Sequence, residues 1–325
     1  MEKKIPVIID CDPGVDDALA IILALSHPSL DVRAVCSVTG NGNIENTTDN
    51  GLKILSLCGR EDIPLYRGSD TALNRERPET VDAFGDDGLG GYAHTVVTDK
   101  KPESEHAVDY LLRAVREAPG ELTILAIGPC TNLARAVIKE PWFAENVKRL
   151  IIMGGAKYTG NMSPVAEYNF WADPEAAAVI FRAGFKERVM IGLDVTNKIA
   201  LDAGTRELLR IFGTDLSRFL YHITQSGLDE NWLTRRKPVS PMHDVLTAAY
   251  LIDPDVITVK PAFIDVVTEG ISRGQSVVDI DGHWNHGTCN ALYADSVDVN
   301  RFYRLLLTTV FKEHEEEILA YLGSL

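Results

Sequence analysis

The chain has 325 residues, 45% hydrophobic and 24% charged, the balance of a folded globular protein, which excludes disorder for most of its length. A formal net charge of −15 argues against phosphate-backbone binding, so no nucleic acid polymer is expected as a partner. Neutral or cationic small molecules, or a bound metal cation, suit such a chain better. The five cysteines form no CxxC pair and their number is odd, which argues against a disulfide framework and a cysteine-based zinc site. The apolar run at the N-terminus is too short for a signal segment, and no stretch reaches the roughly 18–20 apolar residues of a membrane span. A cytoplasmic protein with no membrane partner is the expectation.

In chain order, Ile5–Asp10 is a continuous apolar run ending in an acid, the pattern of a buried parallel strand. A turn follows at Cys11-Asp12-Pro13-Gly14, then a helix over Asp16–His27 with Pro28 just past its end. Val32–Val38 reads as a second strand, Gly40–Asn43 as a loop and Asn46–Cys58 as a helix. The rhythm continues with helices at His106–Glu117, Asn132–Lys139 and Pro174–Arg182, and strands at Leu122–Ile127, Val147–Met153 and Val189–Leu193. Alternating strands and helices predict right-handed βαβ units around a mostly parallel sheet. Residues 67–101 break the rhythm as a long glycine-rich loop, and 203–240 reads as polar helix ending in Arg235-Arg236-Lys237-Pro238. A helix near His243–Leu251 precedes strand-like runs at Ile257–Val267, Ser276–Ile280 and Cys289–Tyr293, a small antiparallel addition in the C-terminal third; Val299–Leu322 is helical. No repeat or linker divides the chain, so one domain over 1–325 is expected, α/β and Rossmann-like, its sheet flanked by helices.

Ligands of an open parallel sheet bind at the carboxyl ends of its strands. Those ends carry Asp10-Cys11-Asp12-Pro13-Gly14-Val15-Asp16-Asp17, Thr39-Gly40-Asn41, Gly128-Pro129-Cys130-Thr131-Asn132 and Met153-Gly154-Gly155; Glu167-Tyr168-Asn169 and Met242-His243-Asp244 come later. Four carboxylates within eight residues repel one another unless a cation or several N–H donors lie among them. Such hard oxygen donors suit Ca²⁺ or Mg²⁺. An ordinary helix start explains one or two of these acids but not their density around Pro13-Gly14. Glu167 and Asn169 are two apart, and in an extended segment both would point the same way, as a pair gripping sugar hydroxyls would. His283 and His286 flank Trp284 and Asn285 in a polar stretch and read as surface residues.

Together these segments resemble the nucleoside hydrolase family, the inosine-uridine-preferring N-ribohydrolases, over nearly the whole chain. The most specific element is Asp10-Cys11-Asp12-Pro13-Gly14-Val15-Asp16-Asp17-Ala18, a close match to the family's DxDPGxDDA signature. The resemblance implies a Rossmann-like core, a tightly bound Ca²⁺, hydrolysis of ribonucleosides to ribose and free base, and assembly as a homodimer or homotetramer. It implies metal ligation by Asp12, Asp17, Asp244 and the Ile127 carbonyl, with Asp12 also the general base toward the attacking water. Asp16, Asn41, Asn161, Glu167 and Asn169 would hold the ribose, with Met153 packing beneath it. Some relatives carry a histidine in the loop matching Ala83–Gly88; here that position is Phe84, an aromatic able to stack on a nucleobase. Trp232 is a second stacking candidate, and His243 the candidate acid for the leaving base.

Two other readings compete. A DxD phosphohydrolase also places acids after its first strand, but the matching lysine is missing and a phosphate is badly served by so much negative charge. A non-catalytic nucleoside or ribose binder would keep the sugar-binding groups without needing Asp12 beside a metal.

Overall fold

The structure, a computed structural model, describes residues 4–74, 84–284 and 287–323. Part of the long loop, residues 75–83, and His286 lie outside the described residues. The strands are β1 (Ile5–Cys11), β2 (Leu30–Ser37), β3 (Leu65–Arg67), β4 (Thr123–Ala126), β5 (Arg149–Met153), β6 (Arg188–Ile191), β7 (Leu201–Asp202), β8 (Val239–Ser240), β9 (Ile257–Val266), β10 (Ser276–Asp279) and β11 (Ala291–Val297).

Successive side chains of a strand face opposite sides of the sheet. In β1, Val7, Ile9 and Cys11 enter one apolar layer and Ile8 the other. The same division separates Ile151 and Met153 from Leu150 and Ile152 in β5. Both faces are therefore buried, which is why these strands read as unbroken apolar runs rather than as alternating ones. The helices Val15–Ser26, Val245–Ile252 and Val299–Val310 cover one face; Ala107–Glu117, Thr131–Lys139 and Pro174–Arg182 cover the other.

The main sheet has nine strands in the order β3-β2-β1-β4-β5-β6-β11-β9-β10. From β3 to β11 every pairing is parallel; β9 pairs antiparallel with both β11 and β10. The expected mostly parallel sheet with a C-terminal antiparallel addition is thus present. Strand order reverses between β1 and β4, and a crevice opens at such a switch point.

Some boundaries differ from the sequence reading. The 203–240 stretch is two helices, Ala203–Phe212 and Asp215–Arg235, separated at Gly213, whose φ of 67° is a left-handed helix end. Val299–Leu322 is likewise divided, into Val299–Val310 and Glu315–Leu322. Strand β3 and the short helices Trp142–Asn146, Tyr168–Ala172 and Leu193–Thr196 are too brief for periodicity to reveal. Among the described residues no helix is long and apolar enough to cross a membrane. All five cysteines are free, and Cys11, Cys36 and Cys130 are buried as small core residues.

Candidate active site

A cleft open to solvent lies at the switch point. Asp12, just past β1, lines it and is buried. Its Oδ2 accepts the backbone N–H of Asn41 at 2.7 Å. The flanking glycines follow from this packing. A Cβ on Gly40 would lie 1.9 Å from Asp12 Oδ2, and one on Gly128 would lie 2.6 Å from its Oδ1. The Gly-Asn and Gly-Pro turns are therefore walls built around one carboxylate. Asp17 lies behind the wall: Oδ1 accepts from the backbone of Asp12 at 3.1 Å, and Oδ2 from Gly14 N at 3.0 Å and Asn41 Nδ2 at 2.9 Å. Asn41 Nδ2 also donates to the Asp12 carbonyl, so this side chain fastens the acid loop as well as lining the cleft. Asp10 stays behind the loop, with Oδ2 accepting from Asn132 Nδ2 at 2.9 Å and burial pushing its carboxyl up to about 7.

Oxygens of Asp16, Asp17 and Asp244 all lie within 4.8 Å of one another, and all three residues are buried. Burial raises each carboxyl above its ordinary range, and mutual charge adds to the rise for Asp16 and Asp244. Asp12 and Glu167 press on Asp244 in the same sense. Backbone N–H groups of His243 and Asp244 partly offset the effect at Asp16. Carboxylates this close and this dry need shared protons or a cation, and an all-oxygen set fits a hard divalent ion. Asp12 and the Ile127 carbonyl, on the same wall, are further oxygens in reach of the cleft. The tightest trio thus contains Asp16, which the sequence reading set against the ribose, in the place expected for Asp12.

Glu167 has extended backbone, but Asn169 does not share it as their spacing suggested, because a helix starts between them. Glu167 caps the helix Tyr168–Ala172, its carboxylate accepting from Asn169 N, Phe170 N and Gly155 N. A glutamate at that position turns back onto the orphan amides of the first turn. Burial still pushes its carboxyl up to about 7. Asn169 Nδ2 donates to the carbonyls of Ile127 at 3.0 Å and Met153 at 3.1 Å, joining the ends of β4 and β5. Glu167, Asn169, Met153 and Asn161 all line the cleft. So does Tyr168, whose hydroxyl donates to the Gly40 carbonyl at 2.6 Å.

The cleft is also lined by Phe84, His243 and one face of the Asp215–Arg235 helix: Gly227, Glu230, Asn231, Thr234 and Arg235. These are spaced by three or four residues, as one helical face requires. Trp232 falls off that face; it is half exposed, absent from the cleft wall, and its ring packs under the Arg236 guanidinium. The stacking role expected of it is corrected on this ground. Trp232→Ala should leave kcat/KM for uridine within about threefold and stability within about 0.5 kcal/mol; a tenfold loss in steady-state assays would return it to the site. His243 is half-buried, its Nδ1 2.8 Å from Thr196 Oγ1. Burial first, and the charge of Arg235 second, hold its pKa near 4. At neutral pH it is therefore a neutral imidazole on the cleft wall rather than the readily protonated acid expected from its ordinary range.

The sequence reading missed Met162, Glu230, Asn231, Thr234 and Arg235 as cleft residues. The three-four spacing from Gly227 was visible, but nothing local said which face would turn inward.

A family model described as inosine-uridine preferring nucleoside hydrolase matches residues 7–304. A pyrimidine-specific ribonucleoside hydrolase, RihA of Citrobacter koseri, is 38% identical over 280 residues, 85% of this chain and 88% of that protein. The non-specific ribonucleoside hydrolase RihC of Escherichia fergusonii is 40% identical over 283 residues, 86% of this chain and 90% of that one. Among solved structures, a plant nucleoside hydrolase, the PpNRh1 enzyme, superimposes with a TM-score of 0.90 at 36% identity, covering 94% of this chain and 98% of that one. A purine-preferring ribonucleoside hydrolase from Gardnerella vaginalis gives 0.88 at 30% identity, covering 96% and 99%.

Proposed function

The chain belongs to the inosine-uridine preferring nucleoside hydrolase family and is a ribonucleoside hydrolase, and we propose that it cleaves the N-glycosidic bond of purine and pyrimidine ribonucleosides in a Ca²⁺-dependent reaction. Asp12, Asp17, Asp244 and the Ile127 carbonyl would hold the ion. The observation that carries this reading is the buried convergence of carboxylates at the switch point, beside Glu167 and Asn169 on the same wall.

When bound, Ca²⁺ supplies the positive centre that offsets the acids, acidifies the attacking water and orients sugar hydroxyls. Asp12 accepts the proton of that water, its carboxylate held in place by Asn41 N and the two glycine walls. Asp16 and Asn161 face the ribose, with Met153 beneath it. Asn169 commits its Nδ2 to two strand-end carbonyls, which leaves Oδ1 to accept from a sugar hydroxyl. The remaining negative field favours the ribosyl cation that develops as the bond to the base breaks. Phe84 packs on the base, and His243 hydrogen-bonds to it as a neutral imidazole. The substrate is the one partner outside the chain itself. Assembly as a homodimer or homotetramer and a cytoplasmic location complete the proposal, the latter supported by five unpaired cysteines.

Release of free ribose from uridine and inosine by the purified protein tests the reading. Phosphate release from a sugar phosphate would favour the phosphohydrolase alternative, for which the cleft holds no lysine among the described residues. Tight ribose binding without turnover would favour the binder. Metal dependence has its own expected result. Protein stripped with a chelator should regain activity and melt higher when Ca²⁺ is restored, by about 2.7 kcal/mol at a hundred times Kd. Asp244→Asn should remove most of that shift. An unchanged melting temperature on adding Ca²⁺ would exclude the ion from this site.

A further inference from the structure

The wall of the cleft carries five carboxylates, Asp12, Asp16, Glu167, Glu230 and Asp244, against a single arginine or lysine among the described residues, Arg235. Arg235 is the last residue of the Asp215–Arg235 helix. A cation there ordinarily serves the free carbonyls of the helix end. Here its neighbour does so: Arg236, in the left-handed conformation at φ 57°, donates from its guanidinium to the Trp232 carbonyl at 3.2 Å. Arg235 makes no hydrogen bond or ion pair with any described residue, although Glu230 lines the same wall. It shares the cleft wall with Phe84 and His243, the residues set against the base in the reading above.

A cation on this part of the wall can offset negative charge that develops on a leaving base. When the bond between the sugar carbon and the base nitrogen breaks, its electron pair goes to the base, and the water oxygen forms the new bond to the carbon. The water proton passes to Asp12, while the base departs with negative charge. We propose that Arg235 stabilises the departing nucleobase as its anion, its guanidinium donating hydrogen bonds to a carbonyl oxygen or ring nitrogen of the base. The base then takes its proton from solvent, and Asp12 returns one. An arginine suits this role because its planar fork donates to two acceptors at once and keeps its charge at any working pH. The inference rests on the hydrolase reading above and extends it to the leaving group.

The test compares uridine with 4-nitrophenyl β-ribofuranoside, whose phenolate leaves without help, in the calcium-loaded full chain. Arg235→Met should lower kcat on uridine about 10²-fold, the usual cost of one donor aimed at developing charge, while KM changes little and the nitrophenyl riboside loses less than about threefold. Arg235→Lys should recover part of the loss on uridine, and added guanidinium should partly rescue Arg235→Met. Equal losses on both substrates, or none on uridine, would overturn the role of Arg235 while leaving the hydrolase reading intact. A wild-type protein inactive on both substrates would overturn the hydrolase reading and this role together. Arg235 is exposed, so both variants should melt close to the wild type.

Discussion

Asp12→Asn should lower kcat/KM for uridine by about 10⁴-fold, close to 5.5 kcal/mol of transition-state stabilisation. The substitution keeps the volume, so the walls at Gly40 and Gly128 still close around the side chain. What changes is chemistry: an amide neither takes a proton from water nor offers a charged ligand, and its NH₂ can face the Asn41 N–H that Oδ2 now accepts. Two functions are lost at one position, which makes this the largest single effect expected. Asp10→Asn is the control. Asp10 points away from the cleft toward Asn132, and its replacement should cost far less in kcat. Single-turnover measurements with both variants, after checking that they fold, decide the matter. Near-normal kcat in Asp12→Asn would remove Asp12 as the base.

Glu167→Ala should cost about 10³-fold in kcat/KM, with kcat falling as well as affinity, because binding energy at the sugar hydroxyls is used to reach the transition state. The same change removes a helix cap and leaves the amides of Gly155, Asn169 and Phe170 without their acceptor, so stability should fall by about 1–2 kcal/mol. The two effects are separable. A loss through the sugar narrows the gap between ribonucleosides and 2′-deoxyribonucleosides; a purely structural loss leaves that ratio unchanged. Uridine and inosine should suffer alike, since both carry the same sugar. A variant that discriminates against deoxyribose as strongly as the wild type would confine Glu167 to capping.

Much of this was legible in the sequence for local reasons. The apolar runs at Ile5–Asp10, Leu122–Ile127 and Val147–Met153 needed no partner to be read as strands buried on both faces. The density of acids around Pro13-Gly14 marked a place that needs a cation or several N–H donors, and the structure gathers buried carboxylates there. Asn41, Asn161, Glu167 and Asn169, which the family resemblance sets against the ribose, do line one cleft.

The tertiary structure decided what depends on helix phase and on contacts between distant segments. Glu167 caps a helix too short to leave a periodic signature, so its side chain could not be aimed from sequence. Trp232 lost its place because each helical residue turns about 100°, and a shift of one position exchanges the inner face for the outer. Arg235 gained its place for the same reason, once packing fixed which face of Asp215–Arg235 looks into the cleft. Asp16 and Asp17 met Asp244 only because the sheet brings residues more than two hundred positions apart to one strand end. Composition and periodicity act within a few residues of chain, whereas the orientation of a side chain toward a site is set by the whole packed core behind it.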